Sequence, residues 1–329
     1  LFFVINIYSC KKNSINSVET NGIVSSIHPL ASEVGINILK KNGNAVDAAI
    51  ATGLALGVVD QFNSGLGGGA FIMIRLSNGK IFSIDGREKA PAKATQKMYN
   101  FDGKINTYFS QNGPLSIAVP GLPAAYIKAL NLAGTKKLAE LIKPSINIAK
   151  NGFKLDDDYI RRYKINIDEL RKASSSKKIY FNSKGEAFKT GHHFVQNDLA
   201  NTYEKFGEKG INYFYKGEFA DKLVKFMEEN GGLITHDDMK NYNAILREPV
   251  VGKYRNYKIY GMGPPSSGGI NIFQMLNMIE MSGILKGKDE LDKETIYMLS
   301  LIMGEIFKSR SNDLGDPDFN EINIKQLLS

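Results

Sequence analysis

The sequence contains few residues of the types that form covalent cross-links or metal sites. Cys10 is the only cysteine among 329 residues, and there are four histidines. A single cysteine excludes an intrachain disulfide and a cysteine-based metal site. The histidines show no metal-ligand spacing with a carboxylate, and the pair His192 and His193 lies in a polar stretch typical of an exposed loop. We therefore expect neither a metal nor a cofactor.

Clusters of one charge sign are also missing. The formal net charge is +8, but the lysines alternate with Asp and Glu, as in KLVKFMEEN, and no basic stripe carries interleaved aromatic residues. This pattern argues against nucleic acid as a partner. Hydrophobic residues make up 43% of the chain, which is enough for a substantial core in one large domain or two smaller ones.

The first apolar run is too short to span a bilayer. The stretch LFFVINIYSCKK resembles the end of a secretory signal, and Ser9 directly before Cys10 resembles a bacterial lipobox. The alternative is a buried strand. We interpret residues 1–20 as a truncated signal with a lipobox and a polar tether, and residues 21–329 as the folded part. Cys10 is then a possible lipidation site in a periplasmic or cell-envelope protein.

Hydrophobic periodicity predicts a mixed architecture. IVSSI favours a short strand, and two helices follow up to Asp60, the first ended by Gly43 as a left-handed cap and the second begun by Asn44. AFIMIRL and KIFSIDG flank Asn78-Gly79 and predict a hairpin. PLSIAVPG is interpreted as a further buried strand.

The middle of the chain, from KKLAELIKPSINIAKNG to GEFADKLVKFMEENGG, is predicted to be mostly helical. One more hairpin is expected in PVVGKYRNYKIYGM, and PPSSGG is expected to open a helix. The sequence shows neither an internal repeat nor a clean linker, so we predict one α/β (α+β) domain.

The stretch NSGLGGGAF, residues 63–71, satisfies the spacing of a dinucleotide-binding loop. Such a loop requires a preceding strand and a helix that opens on the glycines. Here an apolar helix is predicted before the glycines and a hairpin after them, so a nucleotide site is not expected. The remaining explanation is that the glycines allow close packing or a positive φ.

Five blocks resemble, in order, the γ-glutamyltransferase (glutathione hydrolase) family. They begin with HPLASEVGINILKKNGNAVDAAIATGLALGVVDQFNSGLGGGAFIMI and continue with DGREKAPAKAT, VPGLPAA, GMGPPSSGGI and SRSNDLGDPDF. The resemblance covers nearly the whole chain, from about residue 21 to residue 319.

The resemblance implies an N-terminal-nucleophile hydrolase fold, a four-layer αββα sandwich made from a precursor that cuts itself into a large and a small subunit. The nucleophile is the Thr that begins the small subunit, in a segment beyond the GDPDF block. No Thr follows Thr295 in this sequence, so no residue here is assigned as catalytic. The implied partners are the small subunit, glutathione and other γ-glutamyl compounds, and amino-acid or peptide acceptors.

Arg87 in DGREKAPAKAT matches the family's carboxylate-binding arginine. A γ-glutamyl donor carries a free α-carboxylate, for which a guanidinium offers two parallel hydrogen bonds. The alternative is a surface arginine paired with Asp85 or Glu88. Ser266 and Ser267 lack the surroundings of a nucleophile and are expected to cap a helix.

Two other functions remain open from the sequence. A cephalosporin-type acylase shares the implied architecture and many of the motifs. A non-catalytic binding protein, or a truncated inactive gene product, would lack the nucleophile altogether. The donor-binding arginine favours the γ-glutamyl function over the acylase, whereas a downstream coding sequence for the small subunit would decide against the non-catalytic protein.

Overall fold

The computed structural model describes residues 22–287 and 290–328. Cys10 and the predicted lipobox and tether lie outside the described residues. The helices are α1 Pro29–Lys40, α2 Ala45–Val59, α3 Leu122–Ala133, α4 Leu138–Asn151, α5 Asp157–Ile165, α6 Ile167–Lys172, α7 Ser174–Tyr180, α8 Asn197–Lys216, α9 Glu218–Asn230, α10 His236–Lys240, α11 Gly268–Ser282, α12 Lys293–Asp313 and α13 Ile324–Leu327. The strands are β1 Ala70–Arg75, β2 Ile81–Gly86, β3 Asn100–Phe101, β4 Lys104–Ile105, β5 Phe153–Lys154, β6 His193–Phe194, β7 Ile245–Arg247, β8 Val250–Tyr254 and β9 Tyr257–Gly261.

Helix α2 forms the centre of the main core. Asn44 caps it by accepting from Val46 N and Asp47 N, and the Asp47 carboxylate accepts from Asn44 N in return. Most of the α2 side chains are buried, which agrees with the helix being apolar nearly all round. It packs against α1 and α4. The N-cap predicted at Asn44 is confirmed.

Two local predictions before α2 were wrong. The segment IVSSI forms no strand, because no neighbouring strand pairs with it in the described structure. The left-handed residue after α1 is Asn42, with φ 60°, and not Gly43. Asparagine tolerates this conformation better than other residues with side chains, and this allows Gly43 N to donate to Ile38 O.

The central sheet has the antiparallel order β1–β2–β7. The hairpin predicted around Asn78-Gly79 is confirmed, with Gly79 at φ 85° in the turn. Ile84 lies on the face of the sheet that packs against α3 and is fully buried. The opposite face carries Asp85 and, across the β2–β7 register, Arg247 on the same side.

The predicted strand PLSIAVPG was also wrong. Residues 114–116 form a 3-10 turn, and only Val119 forms a bridge, with Lys89. Prolines at both ends of the segment lack the N–H that a strand ladder requires, and Gly113 enters it at φ 83°.

The second hairpin, β8–β9, is confirmed and packs against α11 around a smaller core of Val250, Ile270 and Phe273. None of the helices in the described residues is apolar over a long enough stretch to cross a bilayer.

Candidate functional site

The glycine loop before β1 packs against the end of β2. A Cβ on Gly69 would lie 2.8 Å from Arg87 Cα and 2.7 Å from Glu88 N, which is closer than real side chains come. On the other side, Gly68 O accepts hydrogen bonds from Gly121 N and Leu122 N, each at 2.9 Å. Gly69 therefore serves close packing, and Gly65 adopts a positive φ of 146°, the two reasons that remained from the sequence.

The backbone of Arg87 is held from both sides. Its N–H donates to Asp85 Oδ1 at 3.1 Å, and its carbonyl accepts from the Tyr242 hydroxyl at 2.6 Å. Tyr242 is in turn stacked on Tyr215, with 5.5 Å between ring centroids and 6° between ring planes. The chain direction at Arg87 is thus fixed by contacts that do not involve its guanidinium.

The Arg87 side chain is exposed, and its guanidinium carbon lies 6.0 Å from the centre of the Phe71 ring. The alternative partners considered from the sequence do not hold it: neither Asp85 nor Glu88 forms an ion pair with Arg87 within residues 22–287 and 290–328. The guanidinium can therefore offer both of its parallel N–H groups to an incoming carboxylate.

Asp85 is occupied by Arg247 instead. Arg247 Nε and Nη2 each lie 3.1 Å from Asp85 Oδ2, and Nη1 donates to Asp318 Oδ1 at 2.7 Å. The Arg247 and Asp85 side chains are only 16% and 8% exposed, so solvent screens this pair less than a surface pair. Sequence reasoning missed Arg247, because nothing local in LREPV indicates a long-range partner.

The charge network shifts the pKa values of Arg247 and Asp318. Burial alone would lower the pKa of Arg247, but hydrogen bonds to Asp318 and Asp85 outweigh it and raise that pKa. The hydrogen bond from Arg247 lowers the pKa of Asp318 below its usual value. Both groups are therefore charged at neutral pH, and the network is ionic.

A cleft of about 580 Å³ opens beside the glycine loop. Its lining includes Ser64, Gly67, Gly69, Glu88 and Tyr126. Arg87 is not among the residues that line this cleft.

The remaining sequence candidates have structural roles. Ser266 Oγ accepts from Gly268 N, as expected of a capping serine, whereas Ser267 Oγ accepts from Arg310 Nε at 3.0 Å and does not cap. His28 caps α1 through Nδ1, and burial lowers its pKa. Asp316 closes a turn around Pro317 by accepting from Asp318 N.

No group of three His, Cys, Asp or Glu residues in the described part of the chain is placed to hold a metal ion. The Asp85 carboxylate is instead bound by the Arg247 guanidinium and the Arg87 backbone N–H.

Comparisons with known proteins identify the family of the chain. The sequence model of the gamma-glutamyltranspeptidase family matches residues 31–329. The glutathione hydrolase proenzyme of Escherichia coli (strain K12) is 39% identical over 310 residues, and the match covers 94% of this chain. The crystal structure of Helicobacter pylori gamma-glutamyltranspeptidase superimposes with a TM-score of 0.91 at 40% identity, covering 94% of this chain and 88% of that one.

An acylase is also among the relatives. The acylase ACY 1 proenzyme of Pseudomonas sp. (strain SE83) is 33% identical over 329 residues. The chain spans about half the length of the curated relatives that it matches, with 53% of the Escherichia coli protein and 58% of the acylase covered. The family match covers most of the sequence, and the fold matches family structures throughout. This chain belongs to the gamma-glutamyltranspeptidase family.

Proposed function

We propose that this chain is the large-subunit part of a γ-glutamyltransferase, which cleaves the γ-glutamyl bond of glutathione and related peptides. The observation that supports this best is Arg87. Its backbone is fixed at the end of β2, while its guanidinium has no protein carboxylate as a partner within the described residues. A γ-glutamyl donor supplies the α-carboxylate that fits this fork.

The proposed reaction uses a Thr hydroxyl on the partner subunit. The hydroxyl oxygen attacks the γ-carbonyl carbon of the donor, and its proton passes to the Thr α-amine acting as base. The amide bond breaks, the leaving amine takes up the proton, and the glutamyl group remains as an ester on Thr. Water or an acceptor amine then attacks this ester. Arg87 holds the donor's α-carboxylate through both steps.

The proposed partner completes the four-layer αββα sandwich. Several apolar side chains lie uncovered on the outside of α12, including Tyr297 at 62% and Phe307 at 49% exposure. Met73, on the face of the central sheet opposite α3, is 39% exposed. Exposed apolar surface of this kind is typical of an interface. The proenzyme names of the relatives support a partner cut from the same precursor.

The proposal is tested with three anilide donors and the enzyme assembled with its partner subunit. γ-Glutamyl anilide carries the α-carboxylate and the α-amine, glutaryl anilide lacks only the amine, and 4-aminobutyryl anilide lacks only the carboxylate. We expect the first to be hydrolysed fastest and the third to be nearly inert. Equal rates on the first and third donors would contradict the proposal.

The acylase alternative predicts a different order. An enzyme of that kind would hydrolyse the glutaryl donor at least as fast as the γ-glutamyl donor, because it makes no use of the amine. The observation that supports this alternative is the sequence similarity to an acylase proenzyme. A protein that hydrolyses none of the three donors would instead be the non-catalytic form.

We further propose a periplasmic or cell-envelope location, with Cys10 as the lipidated residue. The support is the Ser9-Cys10 pair after an apolar run. In cells, the protein should sediment with membranes, and Cys10→Ser should release it. Membrane retention of the Cys10→Ser variant would contradict the lipid anchor.

A further inference from the structure

Asp85 connects two parts of the site through its two carboxylate oxygens. Oδ1 accepts the Arg87 backbone N–H at 3.1 Å, and Oδ2 accepts both Arg247 Nε and Nη2 at 3.1 Å. Because hydrogen bonds hold both of its oxygens, the Asp85 carboxylate has little freedom to rotate. The orientation of Asp85, and with it the turn that carries Arg87, therefore depends on Arg247.

Arg247 is itself fixed by a second carboxylate. Its Nη1 donates to Asp318 Oδ1 at 2.7 Å, and Lys89 Nζ lies 3.8 Å from the other oxygen of Asp318. Asp318 belongs to a turn in which Asp316 accepts from the N–H of Asp318. The guanidinium thus joins β2, β7 and the turn around Pro317 in one contact.

The geometry assigns Arg247 as a positioning residue for Arg87: it holds the Asp85 carboxylate, which in turn holds the Arg87 backbone in the direction that presents its guanidinium. This assignment rests on the proposed function of Arg87 in binding the donor's carboxylate. Arg247 is mostly buried behind Asp85 and bound to two carboxylates, so it does not contact the donor itself.

A purely structural role would have a different signature. If Arg247 only stabilised the fold, its loss would reduce the amount of active enzyme and lower kcat for every donor. If it positions Arg87, its loss should weaken the binding of the α-carboxylate specifically. It should also have no further effect once Arg87 has been removed, because the two substitutions then break the same interaction.

The test compares Arg247→Met with Arg161→Met in the enzyme assembled with its partner subunit. Arg161 is the matched control, because its side chain is 65% exposed and pairs with Asp158 on the same helix. For Arg247→Met we expect KM for γ-glutamyl anilide and the inhibition constant of L-glutamate to rise about tenfold, with kcat changed less than about twofold. Arg161→Met should match the parent.

A double-substitution cycle gives the decisive comparison. In an Arg87→Ala background, Arg247→Met should change kcat/KM by less than about twofold. A full further loss in that background, or a fall in kcat with KM unchanged, would overturn the positioning role. Asp318→Asn provides a milder variant that leaves the Asp85–Arg247 pair in place, and we expect a smaller rise in KM for it.

A second readout does not depend on activity. Hydrogen exchange of the Arg87 amide should accelerate in Arg247→Met and not in Arg161→Met, because the amide's acceptor is no longer held. If the parent enzyme released no glutamate from γ-glutamyl anilide, the proposed function would fail. The hydrogen-exchange rate of the Arg87 amide would still show whether Arg247 positions the Arg87 backbone. Unchanged exchange at Arg87 would refute it.

Discussion

At the scale of single residues, Arg87 combines a fixed backbone with a free side chain. The hydrogen bonds to Asp85 and Tyr242 are made by its N–H and C=O, which any residue at this position would retain. Substitution of the side chain should therefore affect ligand binding far more than folding. This separation makes Arg87 a clean site for testing donor recognition.

We predict that Arg87→Ala lowers kcat/KM for a γ-glutamyl donor by an amount on the order of 2–5 kcal/mol, because the donor carboxylate loses its charged partner. Arg87→Lys should recover only part of the loss, since an ammonium keeps the charge but not the fork. Steady-state kinetics of the assembled enzyme measure both effects. Self-cleavage of the precursor should survive in both variants, because the scissile peptide presents no donor carboxylate.

A change in kcat/KM within about twofold for Arg87→Ala, or about 0.4 kcal/mol, would show that the arginine does not bind the donor. The proposed function would then lose the observation that supports it best.

Asp47 is a buried carboxylate with a purely structural task. It accepts hydrogen bonds from Thr135, through both its side chain and its N–H, and from the N–H groups of Asn44 and Lys136. Burial alone would raise the pKa of Asp47, but these hydrogen bonds outweigh it and lower that pKa below 3.8. The folded state therefore favours the charged form.

This shift predicts the sign of a pH effect on stability. A carboxyl whose pKa is lower in the folded state contributes stability that is fully present above its unfolded pKa of 3.8 and is lost as pH falls through the folded value. Asp47→Asn should destabilise the chain by about 1–3 kcal/mol at pH 7. It should also flatten the fall in melting temperature below about pH 4, since it removes one group whose protonation destabilises the fold. If the melting temperature fell as steeply below about pH 4 in Asp47→Asn as in the parent, this account would be contradicted.

Residue roles were predictable from the sequence only where the signal is local. Asn44 was recognised as an N-cap from its position before an apolar run, and the structure confirms it. Arg247 and Tyr242 were missed, because each acts on residues more than a hundred positions away, at Asp85 and Arg87. No pattern of spacing within one segment carries that information.

At the scale of elements, the glycine loop offers a matched pair of substitutions. A Cβ on Gly69 would press against the backbone at Arg87 and Glu88, which cannot move away as a flexible side chain can. A Cβ on Gly67 would meet nothing within 4 Å, and Gly67 does not adopt a positive φ. The same substitution, glycine to alanine, can therefore be made at both positions, and a difference between its effects reports the different surroundings of the added Cβ.

We predict that Gly69→Ala destabilises the fold by about 1–3 kcal/mol, the usual range for overpacking, and raises KM for the donor by displacing the chain at Arg87. Gly67→Ala should be neutral or stabilise the fold by up to about 1 kcal/mol, because it restricts the unfolded chain. Thermal melts and donor kinetics on both variants provide the measurement. Equal effects of the two substitutions would refute the close-packing explanation.

Elements with strong periodicity were predicted well, and elements that depend on a partner strand were not. Both hairpins carry their turn signal between two β-rich runs, so each pairs within its own segment. IVSSI and PLSIAVPG have strand-like composition but lack a neighbour to pair with among the described strands. Composition alone could not reveal the missing neighbour. The joining of β7 to β2 rests on contacts across about 160 residues, which no local pattern predicts.

At the scale of the whole molecule, the apolar residues exposed on α12 point to a surface that is covered in the working enzyme. Tyr297, Leu301 and Phe307 are 62%, 46% and 49% exposed, while Ile302 and Ile306 of the same helix are buried. A helix that is apolar on several sides is expected to be surrounded on most of them. The partner subunit proposed above would supply the remaining contacts.

We therefore predict that the 329-residue chain alone self-associates, binds a dye specific for apolar surface, and releases no glutamate from γ-glutamyl anilide. Dye binding should fall in Phe307→Ser, because this substitution removes one of the large exposed side chains without touching the core.

Co-expression with the proposed partner subunit should abolish dye binding, produce a single cooperative melt and restore glutamate release. All three changes are expected together, because the same polypeptide would cover α12 and supply the Thr nucleophile. Light scattering, dye fluorescence and the anilide assay measure these outcomes. A monodisperse chain that melts cooperatively and binds no dye on its own would mean that these side chains need no cover, and glutamate release by the isolated chain would place the nucleophile within it.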